Sequence, residues 1–359
     1  MNYKIVPRPA KRVDEYDFVK GLLIIFVIWG HVCMYTTPNN YDGNSLTHII
    51  RLFQMPLFIM ISGMFYKPIF DLKTGIEKSI KIFKHIAFPL IFWVIFTSIT
   101  QFVIKPIPLS IRDILFELRG SLSIYWYFVC LLFCMYFTMM LTIVFKTRKY
   151  LWGGVISLLF IPINIYNFQF LYLFFVLGIS IAEYKLVIID KWKKINWIKK
   201  LLLLLTIVVV SQYYPTSLTF YSAPNYILGK ITLSIIHQQY MVPSVVFITV
   251  RYLIYIISTI IWLLLFCELF QKLRKISRPI VFLGKETLFL FVSHLYILVS
   301  FSKILYDIFN CDCIILQNDF IRFYILDVMI SAILVIVLYR IGIYFNRFKT
   351  LSLWIQGKV

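Results

Sequence analysis

The sequence predicts an all-α, polytopic integral membrane helix bundle of about ten transmembrane helices, with both termini cytoplasmic. Composition is the first sign: 61% of the 359 residues are hydrophobic and 14% charged, with a mean hydropathy of +0.85. A soluble globular protein of this length carries about 25% charged residues. Run length is the second, because apolar stretches of roughly 18–25 residues recur along the chain, as a membrane-spanning helix requires. These runs are continuous, as in 22–29, 86–95 and 254–266, and lack the alternation of a transmembrane β-barrel. Charge placement is the third. The net charge of +20 is gathered into alternate connections, which reflects topology and not nucleic-acid binding. A cytosolic enzyme, a secreted disulfide scaffold and a nucleic-acid-binding domain are all excluded.

Residues 1–16 read as a cytoplasmic tail, 17–345 as one transmembrane domain and 346–359 as a second cytoplasmic tail. The first span, 17–35, follows Lys4, Arg8, Lys11 and Arg12 and is not followed by a cleavage site, so it reads as retained. The second covers 49–66 and stops at Lys67. The third, 85–104, is preceded by Lys73, Lys78, Lys81 and Lys84. The fourth, 124–145, ends at Lys146, and the sixth, 168–184, leads into a basic cluster over 185–200. The fifth (151–165) and seventh (201–214) are short, as tilted or broken segments are. An outer connection rich in Tyr, Pro and Ser, 215–242, leads to the eighth span, 243–271. Lys272 to Arg278 separate that from the ninth, 280–301, and the tenth is 320–344. With the N-terminus inside, roughly 28 of the 36 Lys and Arg fall on the cytoplasmic side. Cys33, Cys130, Cys134 and Cys267 lie in spans; Cys311 and Cys313 share an outer loop.

Ionisable groups at lipid depth are costly and mark function, so they are the candidates. His31 lies about 14 residues into the first span, ~21 Å from its inner end. Lys20 precedes it by three helical turns and returns to within ~20° of the same face. Asp17, three residues before Lys20, is placed to pair with it. His294 falls about 14 residues into the ninth span, and Gln54 lies ~8 Å below the outer face, so the three share nearly one level. Arg251 and Asp327 fall within roughly a turn of it. Each has a plainer reading as well. A buried His serves as an interhelical hydrogen bonder, and so do Gln54 and Asp327. Arg51, Arg251 and Arg322 read as side chains that snorkel to the outer headgroups. Lys78, Lys81 and Lys84 read as a positive-inside cluster.

No Gly-rich phosphate loop, Gly-x-Ser-x-Gly elbow or metal-ligand spacing is present. Cys130 and Cys134 read as core packing, and no metal site is expected. What remains is one or two buried imidazoles, cations reaching inward and a cytoplasmic basic patch. That set suits proton transfer on a substrate that meets an anionic donor.

Those residues carry a family likeness. Asp17-Phe18-Val19-Lys20-Gly21 followed by Ile28-Trp29-Gly30-His31 resembles the opening helix of the acyltransferase-3 family of membrane O-acyltransferases, of the surface-polysaccharide O-acetyltransferase type. Phe53-Gln54-Met55-Pro56-Leu57-Phe58 leading to Ser62-Gly63 is similar to its second-span motif, and Lys78, Lys81 and Lys84 before Pro89 to its basic third-span opening. Tyr125-Trp126-Tyr127-Phe128, Phe175-Val176-Leu177-Gly178 and Leu283-Gly284-Lys285-Glu286-Thr287-Leu288 through His294 follow in family order. The departures are Gln54, where many members carry His, and Tyr127 in place of the usual Phe.

The resemblance implies transfer of an acyl group, most often acetyl, from cytoplasmic acyl-CoA to a hydroxyl of a lipid-linked or cell-surface glycan. It implies His31, Lys20 and His294 as catalytic, and Lys78, Lys81, Lys84 and Ser62 as donor-binding. Arg51, Gln54, Trp126, Arg251 and Asp327 would form an acceptor or structural polar layer. Acyl-CoA is then a substrate, with no bound cofactor, and the protein is multi-pass in the inner (plasma) membrane, surrounded by lipid. Tyr35, Trp126, Tyr213 and Tyr221 read either as an interfacial aromatic belt or as platforms for a sugar. The rival class is a flippase, transporter or polymerase of a surface-polysaccharide pathway, which also combines many spans with buried charges. The Lys20-to-His31 stripe and the basic third-span opening favour the acyltransferase.

Overall fold

A computed structural model of the chain describes residues 13–36, 44–104, 110–158, 165–213, 242–309 and 318–358, without the side chains of a few helical residues, Arg251 among them. The described residues form helices and their connections, and no strand occurs among them. In chain order the helices are α1 (Asp14–Thr36), α2 (Ser45–Arg51), α3 (Gln54–Phe65), α4 (Leu72–Ile82), α5 (Phe88–Ile104), α6 (Ile111–Ile124), α7 (Trp126–Phe145) and α8 (Tyr150–Leu158). There follow α9 (Phe168–Lys193), α10 (Trp197–Tyr213), α11 (Val242–Lys272), α12 (Arg278–Lys285), α13 (Thr287–Ser300), α14 (Ser302–Phe309), α15 (Asp319–Phe345) and α16 (Lys349–Gln356). A π turn, Phe83–Ala87, joins α4 to α5, and a second, Arg322–Leu326, lies inside α15. Asp71 caps α4: the Thr74 N–H donates to its carboxylate at 2.8 Å, and that bond holds the carboxyl below its usual range.

Among the described residues six helices are long and apolar enough to cross a bilayer: Asp14–Thr36, Ser45–Phe65, Leu72–Ile104, Trp126–Phe145, Tyr252–Lys272 and Asp319–Phe345. The number is eight if Phe168–Tyr184 with Val187–Lys193, and Arg278–Lys285 with Thr287–Ser300, each form one bent span. The expected ten is therefore not reached among the described residues. The shortfall falls on the two segments expected to be short: α8 has 9 residues and α10 has 17.

The chain divides into two compact units. The first comprises Met1–Tyr16, His48–Glu77 and Cys130–Arg274. Its centre is the crossing of α3 and α9, where backbones meet directly. A Cβ on Gly63 would stand 2.1 Å from the Phe175 carbonyl oxygen, and one on Gly178 would stand 2.0 Å from that of Met60. Within a membrane such close approach is how helices gain packing energy, because lipid supplies no hydrophobic drive between them. Around it, Trp262 of α11 stacks on Phe53 at 4.6 Å, and the Tyr66 hydroxyl donates to the Met135 carbonyl at 3.0 Å. At one end Glu268 gathers Lys200 (2.8 Å), Lys272 (3.2 Å) and the Trp192 indole N–H (3.0 Å).

The second unit comprises Asp17–Thr47, Lys78–Val129 and Lys275–Val359. It has a crossing of the same kind between α1 and α12. A Cβ on Gly21 would lie 2.0 Å from the Ile280 carbonyl oxygen, and one on Gly284 would lie 1.7 Å from that of Asp17. Residues 349–356, expected within a polar tail, instead form α16, which docks on α5. The Trp93 indole N–H donates to the Ile355 carbonyl at 3.0 Å, and Gln356 Nε2 donates to the Gly342 carbonyl at 2.7 Å. The His85 ring N–H donates to the Gly357 carbonyl, and Lys358 pairs with Glu286.

Candidate active site

The polar residues singled out on α1 converge in the second unit. Lys20 Nζ lies 2.7 Å from a carboxylate oxygen of Asp17, which is almost wholly buried. This pair stands where the Gly21 and Gly284 backbones press α1 against α12. Glu286 ends α12, α13 departs at 75°, and that turn carries His294 to the C-terminal half of α1. The His31 and His294 rings then lie 5.3 Å apart between centroids, tilted by 43°.

The two imidazoles are in different states of use. His294 is fully buried, and its Nδ1 lies 2.7 Å from the Leu290 carbonyl one turn back. A carbonyl only accepts, so Nδ1 carries the proton and Nε2 keeps a lone pair. No described group hydrogen-bonds that Nε2. His31 is half-buried and makes no hydrogen bond among the described residues. It is therefore the less enclosed ring of the two. An aromatic wall backs His294: Phe291 meets it edge-on at 5.6 Å, and Tyr127 stacks on Phe291 at 5.0 Å.

On its other side α1 is held by α15. The Trp29 indole N–H donates to the Phe323 carbonyl at 3.2 Å. The Thr36 hydroxyl donates to Asp327 at 2.8 Å, and Arg322 donates to the Thr36 carbonyl. Arg322, expected to reach headgroups, is thus turned onto the C-terminal carbonyls of α1, where a cation is favoured. Trp29 and Tyr127 stand in the sequence as motif positions with no role attached to either, and Thr36 and Phe291 are not singled out there. Trp29 and Thr36, seven residues apart, share one face of α1, but their partner is a π turn that has no sequence signature.

The remaining candidates are dispersed. Lys78 is half-buried, while Lys81 and Lys84 are exposed on α4 and the π turn after it. Ser62 lies in the first unit, and its hydroxyl donates to the Phe58 carbonyl at 3.0 Å. Arg51, expected at the headgroups, is buried in that unit; Gln54 is half-buried at the start of α3. Trp126, half-buried, opens α7 with its ring edge-on to Tyr127. Arg251's side chain, Tyr213's, Tyr221, Cys311, Cys313 and most of the 215–242 connection lie outside what is described. Cys33, Cys130, Cys134 and Cys267 are buried, and none of them is in a disulfide among the described residues.

Comparison with known proteins decides the family. Residues 13–341 match the acyltransferase-3 family, described as an acyltransferase domain. The chain belongs to the acyltransferase-3 family. Its α1 stripe, the α12–α13 turn and all four crossing glycines fall inside the acyltransferase-3 match, whereas α16 lies beyond it. The chain is 26% identical over 179 residues to the nodulation protein NolL of Mesorhizobium japonicum, covering 47% of this chain and 48% of that protein. A NolL from Sinorhizobium fredii is 43% identical over 51 residues, 13% of this chain and 14% of that protein. The chain thus spans about half the length of the first relative and less of the second. No solved structure matches this acyltransferase-3 chain.

Proposed function

We propose that this protein is a membrane O-acyltransferase, moving an acyl group, most readily acetyl, from cytoplasmic acyl-CoA to a hydroxyl of a lipid-linked or cell-surface glycan. The observation that carries the reading is the pair of imidazoles 5.3 Å apart in the second unit of an acyltransferase-3 chain. A sugar hydroxyl attacks a thioester only as its proton leaves, and neutral imidazole is suited to take it near pH 7. In the step proposed, His31 accepts that proton while the hydroxyl oxygen bonds to the acyl carbon. The carbon–sulfur bond then breaks, and the proton returns to the departing CoA thiolate. His294, buried and with its Nδ1 committed to Leu290, packs its ring against that of His31 and so helps to set where the base stands.

Lys20 belongs to the same stripe and serves to fix the Asp17 end of α1. Lys78, Lys81 and Lys84 are proposed as point-charge partners of the CoA phosphates. Ser62 is proposed for donor binding through its hydroxyl oxygen, which can still accept a hydrogen bond while the hydroxyl donates to the Phe58 carbonyl. Arg51, Gln54, Trp126 and Arg251 belong to the proposed acceptor or structural layer. Counting α8 and α10 as spans with the eight above gives ten, both termini cytoplasmic and the chain in the inner membrane, in keeping with the Lys and Arg distribution. The test is incorporation of labelled acetyl from acetyl-CoA into glycan by membranes that contain the protein. An ester on the glycan supports the reading. Glycan that crosses the membrane unmodified would favour a flippase or transporter.

A further inference from the structure

We propose that the start of α15 is a clamp that fixes the His31 imidazole from behind, which makes Asp327, Thr36 and Arg322 positioning residues; the proposal rests on the reading of His31 given above. Trp29, Cys33 and Thr36 fall within about 60° of one another on the α1 helical wheel, and His31 lies roughly 160–220° from each. The hydrogen bonds from α15 described above fall on that far stripe. The Phe323 carbonyl receives the Trp29 indole N–H, Asp327 receives the Thr36 hydroxyl, and the Cys33 thiol lies against the same carboxyl. Arg322 closes over the Thr36 carbonyl at the helix end. The contacts bracket His31, ~3 Å before it and ~7.5 Å after it along the axis.

Holding two helices together at lipid depth does not require this chemistry. Asp327, Thr36 and Cys33 are fully buried, and one Asp327 oxygen has no hydrogen-bond partner among the described residues. An apolar contact would pack as well without desolvating a carboxyl. What directional bonds add is register, since a helix held by apolar side chains alone is freer to slide and rotate. The π turn sets the geometry. It brings the Asp327 N–H to the Arg322 carbonyl, so two residues five apart in sequence face the same end of α1. A shift of about 1 Å in a reacting group costs on the order of 10²-fold in rate. Rotation of α1 would move His31 relative to His294 by that much.

The experiment compares Thr36→Val, Asp327→Leu, their double variant and Thr36→Ser in the full-length protein in membranes. Two readouts are taken: acetyl transfer kinetics, and the rate at which diethyl pyrocarbonate modifies the His31 peptide, followed by mass spectrometry. Thr36→Val is expected to lower kcat about 10²-fold, with both KM values within about twofold and protein levels kept. Because Thr36 and Asp327 share one bond, the double variant should be little worse than the poorer single. The modification rate should change at least about threefold with the loss of register and return in Thr36→Ser. Unchanged modification of His31 in Thr36→Val and Asp327→Leu overturns the clamp. Full transfer by His31→Ala would instead remove the base reading, and the modification rate would still decide whether α15 sets the ring.

Discussion

His294 donates from Nδ1 to the Leu290 carbonyl and is fully buried, while His31, 5.3 Å away, is half-buried and makes no hydrogen bond among the described residues. Removing each should therefore have unequal effects. His294→Ala is expected to slow transfer by about 10- to 10²-fold, less than the ~10²–10⁴ expected for loss of a general base at His31. Steady-state kinetics at matched protein levels measure the difference, and equal losses would make the pair a single unit. Lys20→Ala removes the cation facing the nearly buried Asp17 carboxylate, so it should lower both activity and the amount of inserted protein. Lys20→Arg should keep both. Much of this was readable beforehand. The stripe of Asp17, Lys20 and His31 follows from the helical period, and the shared level of His31 and His294 follows from 1.5 Å per residue. Thr36 with Asp327 was not readable, because no periodicity assigns partners 291 residues apart.

Glycines decide which helices can touch backbone to backbone. Gly284 against Asp17 and Gly178 against Met60 leave no flexible side chain to yield, so Gly284→Val and Gly178→Val should each cost about 1–3 kcal/mol or more. The measurement is thermal aggregation of the purified protein in detergent. Gly153 is the control, because a Cβ there meets nothing within 4 Å; Gly153→Ala should leave the midpoint unchanged or slightly raised. Gly357 is constrained twice, by φ of +66° and by the His85 carbonyl 2.1 Å from where a Cβ would lie. Gly357→Ala should therefore free α16, detected as faster proteolysis after residue 345 in membranes. In sequence Gly178 and Gly284 stood out as motif positions, but their partners were hidden until two helices crossed. The helix α16 was missed for a different reason: eight residues with Lys349, Thr350 and Gln356 look like a solvated tail until Trp93 and His85 are seen to receive them.

Across the chain, the positive charge and the run lengths agree on a multi-pass membrane protein, and six to eight spans are long enough on their own. The ten-span scheme puts 73–78 and 215–219 on opposite sides of the membrane. Single cysteines introduced there should label from opposite faces, and labelling of both from outside would break it. The basic face of α4 can be tested in the same membranes. Lys78, Lys81 and Lys84 changed together to Gln should raise the apparent KM for acyl-CoA, with a smaller effect at saturation. An unchanged donor dependence would leave these lysines a role in topology alone. Membranes carrying the parent and His31→Ala at equal, correctly inserted levels are given labelled acetyl-CoA and acceptor glycan, and ester formation is followed over time. The parent should form the ester, and His31→Ala should form it about 10²–10⁴ times more slowly; transfer by His31→Ala at the parental rate would contradict the account.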